Sequence, residues 1–72
     1  MKFYIVPPDY KYFVCNLYTN SICACNEYKS DSHDVCAEFN EYKPNTYKVY
    51  TAKHITTRLN LNPYDYNCWS NQ

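Results

Sequence analysis

EYKSDSHDVCAEFNEYKP, running from Glu27 to Pro44, holds five of the seven acidic residues in the chain. Glu27, Asp31, Asp34, Glu38 and Glu41 recur at steps of four, three, four and three, so on an α-helix they form one stripe along one face. Tyr28, Val35, Phe39 and Tyr42, with Cys36 beside them, make a second, apolar stripe. Two such stripes describe an amphipathic helix that docks on a small sheet through its apolar side and keeps its carboxylates in water. The helix is expected from about Ser32 to Tyr42. Ser30 or Asp31 would supply a capping oxygen for the free N–H groups of the first turn, Asp34 favours the positive helix end, and Pro44 stops the helix.

Outward from this segment the chain reads as strands and turns. Lys2 to Val6 alternates and is rich in β-formers, Pro7-Pro8-Asp9 is a turn, and Tyr10 to Leu17 (YKYFVCNL) is again aromatic and β-branched. Together they predict an N-terminal β-hairpin over residues 2–17. Alternation groups Phe3 with Ile5, and Tyr10 with Tyr12 and Val14, so one set faces the core and the other presents tyrosines outward. Thr19-Asn20-Ser21 is the next turn and Ile22 to Cys25 the next strand. Beyond the helix, Thr46 to Tyr50 alternates as a further strand. Thr51 then caps a short second helix over 52–60, with Ala52, Ile55 and Leu59 inward and Lys53 and Arg58 wet. Asn62-Pro63 follows, and the tail Tyr64 to Trp69 is too aromatic for a free end, so it is expected to pack or to add a short strand. The fold class is therefore α+β: one small domain with an antiparallel sheet of three to four strands, opening on a hairpin and packed with one or two short helices.

Composition narrows the function classes. A chain of 72 residues hides only roughly 60% of its unfolded surface, so it has one core and a thin stability margin. Ten tyrosines, three phenylalanines and one tryptophan mean that much of that core is aromatic, with tyrosine hydroxyls steered to water or a partner. Glycine is absent, which excludes phosphate loops, dinucleotide fingerprints and nucleophile elbows, all of which need close backbone approach. Turns must then use asparagine, the non-glycine residue that best tolerates positive φ, and Asn20, Asn45, Asn60 and Asn62 are the candidates.

The formal charge is zero but segregated. Within residues 27–42, Lys29 stands against five acids and leaves −4, whereas Lys2 and Lys11 against Asp9 leave +1 in residues 1–26, and Lys43, Lys48, Lys53 and Arg58 against Asp65 leave +3 in residues 43–72. Such a dipole lacks the continuous basic surface that holds DNA, but it steers the chain toward a protein patch of one sign. The apolar run after Lys2 stops at Pro7-Pro8, too short for a signal peptide or a membrane span, so no membrane association and a cytoplasmic location are expected. Cys15, Cys23, Cys25, Cys36 and Cys68 are odd in number, and reduced thiols are the default in that compartment.

Four constellations carry possible chemistry. Cys23, Cys25, His33 and Cys36 are ligand types for zinc, with Cys15, His54 and Cys68 in reserve, but the spacing is not the paired C-x-x-C of structural zinc sites. Buried thiols acting as small hydrophobes are the simpler reading, and no cofactor is expected. Cys36 with His54 and Asp34 is a conceivable nucleophile set, yet nothing in the sequence brings the three together. YKYF and TYKVY interleave rings and lysines as single-strand nucleic-acid binders do, although alternation alone puts rings in the core and lysines in water. The acidic stripe imitates a phosphate backbone: carboxylates on a helix of some 15 residues form a rod on the order of 20 Å long, able to fill a basic groove. Its plain alternative is a solvated helix face.

From these residues the expected function is a non-enzymatic protein-binding module. Glu27, Asp31, Asp34, Glu38 and Glu41 would orient it, and Tyr10 and Tyr12 would anchor it. Abundant Asn, Tyr, Lys and Ile with scarce Gly, Ala and Arg is the bias of AT-rich coding sequence, common in short reading frames of phages and mobile elements. In that setting the specific expectation is an inhibitor of a host nucleic-acid machine, anti-CRISPR in kind, with a CRISPR-associated nuclease as partner. Self-association through tyrosines is open. A small nucleic-acid-binding regulator and a zinc-stabilised interaction domain are the alternatives.

Overall fold

The computed structural model describes residues Tyr10 to Trp69. Their order is β1 (Tyr12–Asn16), β2 (Ser21–Asn26), α1 (Lys29–Tyr42), β3 (Tyr47–Thr51), α2 (Ala52–Arg58) and a 3-10 turn at Tyr66–Cys68. The three strands form one antiparallel sheet in the order β2-β1-β3. The fold is α+β, as the pattern predicts.

β1 is the middle strand, and from Phe13 to Asn16 every residue is buried, as expected where both faces of a sheet are covered. Phe13 and Cys15 turn to one face, where Ile22 of β2, Ile55 of α2 and Leu61 complete a buried cluster bordered by Tyr10, Cys25, Tyr50, Leu59, Cys68 and Trp69. Full burial of Phe13, Ile22 and Ile55 stabilises by about 1.5–3 kcal/mol each. Val14 turns to the other face, level with Ala24 and Val49, and α1 covers it. There the rings of Phe39 and Tyr47 meet with centroids 5.0 Å apart.

Asparagine does the work that glycine usually does. The turn from β1 to β2 is held by Asn16 Oδ1, which accepts from the N–H groups of Tyr18 at 2.9 Å and Thr19 at 3.1 Å. Asn20, Asn45 and Asn60 take positive φ of 51°, 60° and 55°, each at the end of a turn or helix where the chain reverses. Asn62 instead accepts the Tyr64 N–H through its side chain at 3.0 Å. A bulge between Val14 and Cys15 in the β1–β2 pairing, opposite Cys23, keeps Ile22 and Cys25 both turned toward the cluster around Phe13.

Several expectations need correction. The first strand of the hairpin expected over 2–17 falls outside the described residues; the hairpin the structure describes is β1–β2. Helix α1 starts at Lys29, three residues earlier than expected, and neither Ser30 nor Asp31 caps it. β2 runs to Asn26 and the helix follows after a short bend, so the Ser32 N–H already bonds the Tyr28 carbonyl at 3.2 Å and Tyr28 takes the capping position without a side-chain bond. Tyr28 and Tyr42 do not dock; the helix faces the sheet with Ser32, Val35, Cys36, Phe39 and Asn40. Ser32 Oγ is buried there without a hydrogen-bond partner, as is Asn26 Nδ2. β3 begins at Tyr47 rather than Thr46, and α2 ends at Arg58 because Asn60 turns left-handed. Ala52 is exposed, while Ile55 is buried as expected. Thr51 does cap α2, accepting the His54 N–H at 3.3 Å. The tail packs as expected: Trp69 bridges Ile22, and its indole N–H donates to the Pro63 carbonyl at 2.7 Å.

Candidate partner-binding surface

At 3.6 residues per turn, Asp31, Asp34, Glu38 and Glu41 fall within an arc of about 80° on α1 and along about 15 Å of its axis. All four are exposed, and Glu27 is exposed on the bend before the helix. The docking residues Ser32, Val35, Cys36 and Phe39 occupy the neighbouring arc, so packing them against the sheet is what turns the carboxylates outward. Among the described residues none of the five acids is held in an ion pair. Lys53 and Arg58 lie on α2, across the sheet, and the Lys48 ammonium sits 5.7 Å from the Tyr50 ring centroid. The basic residues of α2 are thus separated in space from the acidic face, while Lys29 and Lys43 stand at the two ends of α1.

Tyr28 and Tyr42 bracket this face, 61% and 86% exposed at the two ends of α1. Among the described residues, Tyr18, on the β1–β2 turn, and Tyr64 are also exposed. Tyr10 packs partly against the core cluster and Tyr12 is half-buried in β1, so neither is among the fully exposed tyrosines. The exposed pair on α1 was hidden by the 3.6-residue period. Both tyrosines lie close to the apolar arc, and only the short bend before the helix and the chain reversal after it leave them beyond the edge of the sheet.

The position of α1 is fixed by a residue the sequence reading passed over. Asn40 Oδ1 accepts from the N–H groups of Thr46 at 3.2 Å and Tyr47 at 2.9 Å, and its Nδ2 donates to the Tyr47 carbonyl at 3.2 Å and to Cys36 Sγ at 3.6 Å. The available signal was a lone amide at the border of the apolar arc of an amphipathic helix, one turn after Cys36.

The cysteines are not assembled for chemistry. Cys25 borders the cluster around Phe13, Cys36 is buried beneath α1 on the opposite face of the sheet, and His33 is exposed. The sheet lies between Cys25 and Cys36, so Cys23, Cys25, His33 and Cys36 are not gathered into one group. Among the described residues no group of three or more His, Cys, Asp or Glu is disposed to hold a metal ion. Burial pushes the Cys15 thiol up to about 12, with Cys23 and Cys36 adding to the effect, and burial also raises Cys25 and Cys36. A nucleophilic cysteine needs the opposite shift. His54, on exposed α2, lies across the sheet from Cys36, so the set of Cys36, His54 and Asp34 is not formed.

No helix among the described residues is long and apolar enough to cross a membrane. The chain matches no protein-family model, no curated protein and no solved structure.

Proposed function

We propose that this chain is a non-enzymatic protein-binding module that docks on a basic partner surface through the outward face of α1. One observation carries the reading: four exposed carboxylates in one arc, free of ion pairs and bracketed by two exposed tyrosines on the same helix. Exposed carboxylates on a fixed helix give orientation and on-rate, because like charges lined up along about 15 Å meet a complementary groove with little rearrangement. Tyrosines at the two ends add contact area at low cost in side-chain entropy. Lys29 and Lys43 stand at the two ends of the helix, but among the described residues no ion pair ties up the carboxylates, which stay open to an incoming cation. Raised thiol pKa values and the absence of glycine weigh against covalent or nucleotide chemistry.

The spacing of those acids imitates phosphates, and this points to partners that have basic nucleic-acid grooves. The specific form of the proposal is a phage- or mobile-element-encoded inhibitor acting in the host cytoplasm on a nucleic-acid machine, with a CRISPR-associated nuclease as the first partner to test. The experiment is affinity capture of tagged protein from host lysate, with and without nuclease treatment, followed by mass spectrometry. A single nuclease-resistant protein partner supports the reading. Capture that vanishes with nuclease overturns it and transfers the function to the tyrosine and lysine surface.

A further inference from the structure

The corner where β2 runs into α1 holds two buried polar atoms with no protein partner, Asn26 Nδ2 and Ser32 Oγ. Both belong to the layer between the sheet and α1. Tyr12 pairs with Asn26 as Val14 pairs with Ala24, so alternation puts Asn26 on the face that α1 covers. Ser32 is the first inward residue of α1 and is fully buried. Helical geometry tilts its side chain toward the start of the helix, the end at which β2 delivers the chain. Only the bend of Glu27 and Tyr28 separates Asn26 from the helix, and the Ser32 N–H reaches back to the Tyr28 carbonyl at 3.2 Å.

A desolvated polar atom left unpaired is costly, and native folds rarely carry two in one place. The two atoms do not bond each other, yet their chemistry is complementary: the Asn26 amide nitrogen only donates, whereas the Ser32 hydroxyl both donates and accepts. The surroundings restrict what satisfies them. Ser32 is sealed from solvent, which leaves no mouth for an organic ligand. Glu27 and Asp31 stand at this end of the helix and oppose an anion there. The inward amide nitrogen, a donor, opposes a cation. What fits is small, neutral, and able to accept from one group while donating to the other.

We infer that a single internal water molecule occupies this corner and ties the end of β2 to the first turn of α1. Its oxygen accepts from Asn26 Nδ2 and one of its hydrogens goes to Ser32 Oγ, as buried waters link polar groups that protein atoms do not bring together. The bridge steadies the bend between strand and helix. That bend carries Glu27 and Tyr28 outward, and the helix start beside it has no side-chain cap of its own.

A high-resolution crystal structure of the native chain gives the direct reading: a density peak within hydrogen-bond distance of both Asn26 Nδ2 and Ser32 Oγ. No peak there, or Ser32 Oγ turned onto a backbone carbonyl, overturns the inference. Urea midpoints read the same bridge in solution. Ser32→Ala is measured against Ser30→Ala, an exposed site in the same turn that carries the same change in helix propensity. With the bridge, Ser32→Ala has the lower midpoint, because the water and Asn26 Nδ2 lose a partner; without it, the substitution deletes an unpaired polar atom and the midpoint is the higher of the two. Asn26→Ala and Ser32→Ala also break one bridge between them, so the double variant loses less than the sum of the single losses, and strictly additive losses refute the inference. Should Ser32→Ala not fold, the density of the native chain decides alone.

Discussion

The carboxamide of Asn40 holds both the N–H and the C=O of Tyr47, at 2.9 and 3.2 Å, and so joins helix α1 to strand β3 by a side chain that behaves as backbone. The ring of Phe39, one residue earlier on the helix, lies against the Tyr47 ring, so apolar packing and hydrogen bonding act on the same strand residue.

Replacing Asn40 by alanine should destabilise the fold by about 3 kcal/mol, because the Thr46 and Tyr47 N–H groups and the Tyr47 carbonyl lose their partner together. Asn40→Asp keeps the acceptor and should cost less. Urea unfolding of the two variants gives the comparison, and equal losses would show that the donor to Tyr47 carries the link.

Stability should fall in alkali. The Cys15 pKa is raised in the folded state to about 12, so its protonated form is favoured by folding. That contribution is fully present below the unfolded thiol value of about 8.5 and is lost as pH climbs from there toward the folded value. The slope is about 1.4 kcal/mol per pH unit for one thiol, with Cys25 and Cys36 acting in the same direction. Urea midpoints measured from neutral pH to pH 11 should decline, and Cys15→Ala should flatten the decline whatever its effect at neutral pH.

The left-handed asparagines differ in what they do besides bending. Asn45→Gly relieves a positive φ of 60° and should stabilise by about 0.5–1 kcal/mol. Asn20→Gly relieves a similar strain but loses the Nδ2 bond to the Leu59 carbonyl, 3.3 Å away, so its net effect should be smaller. Thermal midpoints of the two variants test the contrast, and a larger gain for Asn20→Gly would refute it.

Reversing Asp34, Glu38 and Glu41 to lysine should leave far-ultraviolet circular dichroism unchanged, since all three are exposed. On the proposed mechanism the association rate with the captured partner drops by about tenfold or more at low salt, and the difference narrows as salt rises. An unchanged rate removes the acidic face from the mechanism.

Periodicity carried most of the architecture. The alternation in YFVCN and YKVYT, the acidic steps along α1 and the hydroxyl of Thr51 each express a local rule, and each element formed within a few residues of its expected place. Local rules do not register how elements meet. Ser30 and Asp31 are good caps in isolation, yet the bend after Asn26 is so short that the helix has begun before it reaches them. Tyr28 and Tyr42 fit beside an apolar stripe by angle but extend past the sheet that would have covered them. Cys25 and Cys36 look like companions in sequence, and the sheet lies between them. Asn40 became legible only once β3 lay beside α1.

The place of β1 between its neighbours also sets the route by which the chain finds its fold. Val14 meets Ala24 across one tight turn, but meets Val49 only after α1 has intervened. The β1–β2 hairpin is a local contact that closes in microseconds, whereas the β1–β3 ladder demands a long loop closure whose entropy must be met first. By fastening α1 to Tyr47 over a short span, Asn40 joins helix and strand and so shortens the effective loop that the β1–β3 ladder has to close.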